Sequence, residues 1–345
     1  MKQGRPPAMK KNYSNKKRRY QRYFLFAAAL ISLVILINIG LIYAQETGGS
    51  SKIKKGDLLI KIARGKGDLN VSAPSAFAVD SAENILICDS GAQKVLKINA
   101  SDKSISKCFS FGKTEIGDNY VSDMAVSNSG FVYLADAEKN LIYKFAGDGK
   151  LMGALGLKGE EKLIKKIKYI FTDRSSNLVA IDALDHKISI FGEDMKLTEE
   201  IRIPLSKMIF SYVCGSDDSN CVYISSLKDN IFSVMNANNT EKPVFSQKCS
   251  PEHKDAIIAD CHIIGFDKKN NAYVKAYLVD KKGKEVAHYL VKFDNEKYNY
   301  TKIPIASGKD KHDIKILKPF VVLSENIVLS YESDENGFKL ITYKF

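Results

Sequence analysis

The chain has 345 residues, 45% of them hydrophobic, and a formal charge of +12 from 52 Lys and Arg against 40 Asp and Glu. That basic balance does not point to nucleic acid: nine of the cations precede residue 23 with no acid among them, the remainder is nearly balanced, and no aromatic-interleaved basic module occurs. No nucleic-acid partner is expected.

Residues 1–22 form a basic tail carrying Lys2, Arg5, Lys10, Lys11, Lys16, Lys17, Arg18, Arg19 and Arg22. The stretch Tyr23 to Ala44, YFLFAAALISLVILINIGLIYA, then runs without a charge. At about 1.5 Å per residue it covers roughly 33 Å, against about 30 Å of bilayer hydrocarbon, and so predicts a single transmembrane helix. The positive-inside bias places the tail in the cytoplasm and everything after Ala44 across the cell membrane. Attraction to anionic headgroups, at about 1 kcal/mol per nearby cation, is a second use for the tail; orientation of the anchor is the plainer one. A signal peptide cut between Ala44 and Gln45 is the rival reading of the span. Signal cores usually run about 7 to 15 residues, and this run is longer. The lone Asn38 suits a contact with a partner helix or the interface rather than a polar relay.

Residues 45–56, beginning QETGGSSKIKK, suit a flexible stalk. From residue 57 to 345, runs of Val, Ile, Leu, Phe and Tyr alternate with turn signals such as DSAEN, SNSG, DRSSN, SDDSN, DKKNN and SEN, an all-β pattern. Only Gly159 to Lys168, GEEKLIKKIK, offers a helical turn, and a charged connection explains it equally well. The runs recur. Phe77–Asp80, Ile85–Asp89 and Val95–Ile98 match Met124–Val126, Phe131–Asp136 and Leu141–Phe145, and again Tyr169–Asp173, Leu178–Asp182 and Ile188–Phe191. The aspartates Asp89, Asp136 and Asp182 fall 47 and 46 residues apart, the interval of one four-stranded propeller blade. Three weaker copies follow, from Ile209, Ile263 and Phe320, which makes six. The last ends the chain at its third strand, while Asp57–Ala63 is a strand without a blade, so the ring closes if the early strand completes the final copy. The expected fold is a six-bladed β-propeller following the transmembrane helix.

Pro74-Ser-Ala-Phe-Ala-Val-Asp80 leading to Asn84-Ile-Leu-Ile-Cys-Asp-Ser-Gly-Ala-Gln-Lys-Val-Leu-Lys-Ile98 resembles an NHL repeat, with Arg64-Gly-Lys-Gly67 like the Gly-rich approach to one. The resemblance is good over the first copy, fair over the next two and poor beyond about Ser206. It implies a six-bladed propeller of the NHL and TolB-like kind, an architecture that serves binding proteins, lactonases and lyases alike.

Six cysteines in a region placed outside the cytoplasm allow fifteen pairings. Cys214 with Cys221 is the best supported, because the intervening Gly-Ser-Asp-Asp-Ser-Asn reads as a hairpin loop. Cys249 with Cys261 comes next and Cys88 with Cys108 last, since a free buried thiol explains Cys88 equally well. No spacing is a zinc pattern.

Asp89, Asp136 and Asp182 each close a second strand before a short turn, where an Asp side chain bonds the backbone two residues on; their expected role is structural. Propeller lactonases, similar in outline, hold a divalent ion in the channel with carboxylates and amides. The nearest residues here, Asp80, Asp173, Asp260, His262 and Asp267, show no shared position across the copies, so a channel metal is left open but unsupported. The histidines His186, His253, His262, His288 and His312 are scattered and no Gly-x-Ser-x-Gly motif accompanies them. Tyr212, Tyr223, Tyr277 and Tyr331 suit either strand packing or a binding surface. The sequons at Asn70, Asn99, Asn238 and Asn299 are read as chance occurrences. No catalytic, metal or cofactor-binding residue is assigned. The expected function is a binding or scaffolding module for a protein, peptide or glycan outside the cytoplasm. The alternative is a propeller hydrolase, lactonase or lyase with a channel metal.

Overall fold

The computed structural model describes residues 55–345 apart from 113–119, 157–163, 203–212, 217–221, 229–230, 237–238, 249–255, 295–298, 306–315 and 335–336. The chain divides into two units, Met1–Lys52 and Ile53–Phe345, and the architecture below is that of the second.

Every described element is a strand. β1 (Asp57–Ile62) is followed by five antiparallel four-stranded sheets, each built from consecutive strands. The first sheet holds β2 (Pro74–Val79), β3 (Ile85–Asp89), β4 (Lys94–Ile98) and β5 (Ile105–Ser110). The second holds β6 (Asp123–Val126), β7 (Val132–Asp136), β8 (Leu141–Phe145) and β9 (Leu151–Leu155). In the third are β10 (Ile167–Thr172), β11 (Leu178–Asp182), β12 (Lys187–Phe191) and β13 (Leu197–Arg202). In the fourth are β14 (Val213–Ser216), β15 (Val222–Lys228), β16 (Ile231–Asn236) and β17 (Asn239–Lys248). The fifth comprises β18 (Ile257–Phe266), β19 (Ala272–Val279), β20 (Glu285–Asp294) and β21 (Asn299–Ile305). A closing sheet joins β22 (Phe320–Ser324), β23 (Ile327–Asp334) and β24 (Gly337–Lys344) to β1, which pairs with β24 from Asp57 opposite Thr342 to Ile62 opposite Phe338.

The first strands touch in the order β2, β6, β10, β14, β18, β22 and back to β2, so the sheets stand round a common axis as a β-propeller. The second strands show why these sequences take that form. Along β3, Leu86 and Cys88 face a core shared with Leu134 and Phe145 of the second sheet, whereas Ile85 and Ile87 face Phe338 and Leu340 of the closing sheet. β7 divides in the same way, with Leu134 on one side and Tyr133 and Ala135 against Ile170 and Leu178 on the other. A strand sandwiched between two sheets is apolar at every position, which is why ILICD and VYLAD lack alternation. The fourth strands lie at the rim and read oppositely: LTEEIR of β13 buries only Ile201. Such polar edges resist pairing with other chains, and their lack of pattern hides them in sequence.

The expected fold, six blades following a transmembrane helix, is corrected on two points. No helix occurs among the described residues, and none there is long and apolar enough to cross a membrane; Tyr23–Ala44 lies outside them. Five blades, not six, are continuous repeats of the chain, and the remaining sheet is assembled from β1 and the last three strands. The helical turn considered at Gly159–Lys168 falls mostly outside the described residues, with Ile167 opening β10 as a strand.

Among the expected disulfides, the Cys88–Cys108 pairing is corrected: no disulfide occurs among the described residues, and both thiols are free. They lie on β3 and β5 with β4 between them, so about 9.5 Å of sheet separates strands that a disulfide needs within about 7 Å. Burial pushes the Cys88 thiol up to about 12 and raises that of Cys108 less, which keeps both protonated. The side chains of Cys214, Cys221, Cys249 and Cys261 lie outside those described.

Candidate functional site: the axial cleft

Along the axis, the first strands β2, β6, β10, β18 and β22 line a cavity of about 350 Å³. Its walls are chiefly apolar and half-buried, with Val79, Val126, Phe171, Ile264 and Phe320 contributed by five different sheets. β2, β6, β10, β18 and β22 each end in a tight turn, and these turns form the mouth.

The mouth carries a repeated device. Asp80, Asp173 and Asp267 directly follow β2, β10 and β18, and each carboxylate takes the side-chain amide and backbone N–H of an Asn four residues on. The distances are 2.8–3.1 Å to Asn84, 2.8 Å to Asn177 and 3.0 Å to Asn271. Ser127 fills the corresponding place in the second sheet, its Oγ accepting Phe131 N–H at 3.1 Å. Glu83, Ser176 and Asn270 take left-handed backbone at φ 64°, 66° and 61°, where Gly130 has φ 82°. The three aspartates thus share a position across the sheets, contrary to the sequence expectation. The signal was in the Asp-x-x-x-Asn spacing of DSAEN, DRSSN and DKKNN. Their oxygens serve their own turns rather than a common point, and no group of three His, Cys, Asp or Glu among the described residues is placed to hold a metal. The side chains of Asp260 and His262 lie outside those described.

Asp267 is held further by Tyr273, whose buried hydroxyl donates to Oδ2 at 2.8 Å and accepts Asn326 N–H of the closing sheet at 2.8 Å. Burial and the Asp267 carboxylate push the Tyr273 phenol well above its ordinary range. From the third sheet, Arg174 Nη2 donates to Asp267 O at 3.0 Å and to Asn270 Oδ1 at 3.3 Å, while Asn128 donates to Arg174 O at 2.8 Å.

The other end is crossed by one side chain. Lys318, just before β22, reaches across the ring to Met124 O at 3.0 Å, Ile170 O at 2.7 Å and Asp123 Oδ1 at 2.9 Å. All three ammonium hydrogens therefore have an acceptor. Asp123 is 1% exposed and also accepts the N–H groups of Ile170 and Met124. Burial raises its carboxyl despite the opposing pull of Lys318.

The aspartates at the ends of the second strands do not line this cleft. Asp89 accepts Ser72, Ala73 and Ala92 N–H at 2.7, 2.8 and 3.2 Å. Asp182 accepts Lys165, Lys166, Leu184 and Asp185 N–H at 2.6, 3.2, 2.8 and 3.1 Å. Asp136 accepts Glu138 and Lys139 N–H at 3.0 and 2.9 Å. In the first and third sheets the carboxylate ties the segment that enters the sheet to the turn leaving its second strand. Tyr331 stacks on Phe338 at 5.4 Å and Tyr277 meets His288 edge-on at 4.6 Å, both as packing between strands.

No family model matches the chain, and no curated protein matches it by sequence. Solved structures match its fold. A putative exported protein from Bacteroides fragilis superposes with a TM-score of 0.52 at 10% identity, over 87% of this chain and 98% of that one. Virginiamycin B lyase from Staphylococcus aureus gives 0.47 at 12% identity, over 82% and 98%. The PQQ-bound aldose sugar dehydrogenase of Streptomyces coelicolor gives 0.46 at 11%, over 86% and 99%. At these identities the likeness shows a β-propeller fold and nothing finer.

Proposed function

We propose that this chain is a binding module that takes up a protein, peptide or glycan segment outside the cytoplasm, held at the membrane by its apolar stretch 23–44. One observation carries the binding reading: an apolar cleft lies on the propeller axis, its mouth ringed by polar turns and its far end crossed by a fully engaged lysine. Concave apolar surface with a few placed polar groups is the usual form of a ligand site. The carboxylates at the mouth are spent on their own turns, which leaves them poorly placed for acid–base work. A peptide presenting one large apolar side chain fits such a cleft.

Affinity capture with the purified full-length chain, with and without chelator, tests this. Capture unaffected by chelator and lost in Phe171→Ala, with the far-ultraviolet spectrum intact, is the expected result. Chelator-sensitive turnover of a lactone or ester would replace the reading with a metal-dependent enzyme. A mature mass beginning at Gln45 would refute membrane retention.

A further inference from the structure

We propose that Lys268 and Glu83 form a salt-sensitive latch across the mouth of the axial cleft, which must open before a ligand passes. That a ligand passes rests on the function proposed above; the latch itself is a property of the unliganded fold. Lys268 stands on the turn after β18 and Glu83 on the turn after β2, with the closing sheet between their sheets. Their charged ends meet at 2.9 Å, and both residues line the cavity.

The two ends of this bridge are rigid. Glu83 N–H donates to Asp80 O at 2.9 Å within its left-handed turn. Lys268 follows Asp267, whose carboxylate is bound by Asn271 and Tyr273. The same turn is tied to the closing sheet through the Tyr273 hydroxyl, which accepts Asn326 N–H at 2.8 Å, and to the third sheet through Arg174. Backbone movement is therefore opposed on three sides, and the parts able to swing are the Lys268 and Glu83 side chains. These are 72% and 41% exposed. A pair so exposed adds little to stability, and its attraction weakens further near 1 M salt, where the screening length falls to about 3 Å, so it opens readily. The buried Tyr273 hydroxyl joins the fifth sheet to the closing one, so those two sheets stay joined whether the exposed pair is made or broken.

The test reads access without any ligand. Ile264→Cys places a thiol on the cleft wall below the turn, and a bulky uncharged maleimide reports its exposure, with labelling at that peptide followed by mass spectrometry. Adding Lys268→Ala should raise the labelling rate about threefold to fivefold, the scale of an exposed ion pair. Raising sodium chloride to about 1 M should raise it in the parent and not in the alanine variant. Lys268→Glu should also accelerate labelling, and Lys268→Glu with Glu83→Lys should restore the slow rate. Equal rates in all four proteins, or acceleration that the charge reversal fails to undo, would overturn the latch. Failure to capture a ligand with these rate differences present would instead overturn only the proposed function.

Discussion

Lys318 Nζ lies 2.9 Å from Asp123 Oδ1 across the width of the ring, joining the closing sheet to the second. Removing one partner of a buried pair leaves an uncompensated charge, at a cost of about 3–5 kcal/mol. Lys318→Met should lower stability by that amount at neutral pH in denaturant unfolding. The sign of the pH dependence follows from Asp123, whose folded carboxyl is raised by burial. A carboxyl raised on folding stabilises below its unfolded pKa and loses that contribution as pH rises through the folded value. Without Lys318 the carboxyl rises further. The gap between Lys318→Met and the parent should therefore narrow on acidification below neutrality, and a gap independent of pH would contradict this.

Asp182 offers the clearest test of the turn aspartates. Asp182→Ala strands four backbone donors that the carboxylate satisfies. At about 1–3 kcal/mol for each donor left buried, and with partial access of water, a loss of roughly 3 kcal/mol or more is expected. Asp182→Asn keeps one acceptor oxygen and should lose less than half as much, as thermal unfolding would show.

Closure of the ring can be probed at one atom. Gly337 opens β24 with φ 156°, and a Cβ there would stand 2.6 Å from Ile62 O on β1. Gly337→Ala should cost about 1–3 kcal/mol. It should also speed amide exchange along β1 before the other strands, because the strain falls on the pairing of the first strand with the last.

Tyr273→Phe removes a hydroxyl that bonds Asp267 and Asn326 and leaves both without that partner. A loss of about 1–3 kcal/mol is expected from unfolding curves. Because Asp267 anchors the hub of the mouth, labelling of Ile264→Cys should accelerate as well, and an unchanged rate would show the hub held by its other contacts alone.

Much of the first three sheets is legible in sequence, and for a definite reason. A strand packed on both faces must be apolar throughout, so ILICD, VYLAD and LVAID announce themselves, and the 47- and 46-residue spacing of their closing aspartates follows from one repeated sheet. The outer strands are not legible, because LTEEIR and ISKCFS each bury a single residue, Ile201 and Phe109, too few to make a pattern. Asp80, Asp173 and Asp267 look like scattered acids until each is seen to hold an Asn within its own turn. A four-residue spacing proposes that pairing, but coordinates alone show where the carboxylate points.

Composition and order determined by themselves that this chain makes repeated β sheets, since burial on two faces and tight turns are local demands written residue by residue. Sequence already offered Asp57–Ala63 as the strand that completes the last copy; only the tertiary structure decided its register against β24, that Lys318 meets Asp123, and that Lys268 reaches Glu83. Each joins residues far apart in the chain, and such meetings depend on how sheets stack round an axis, a geometry that no local pattern encodes.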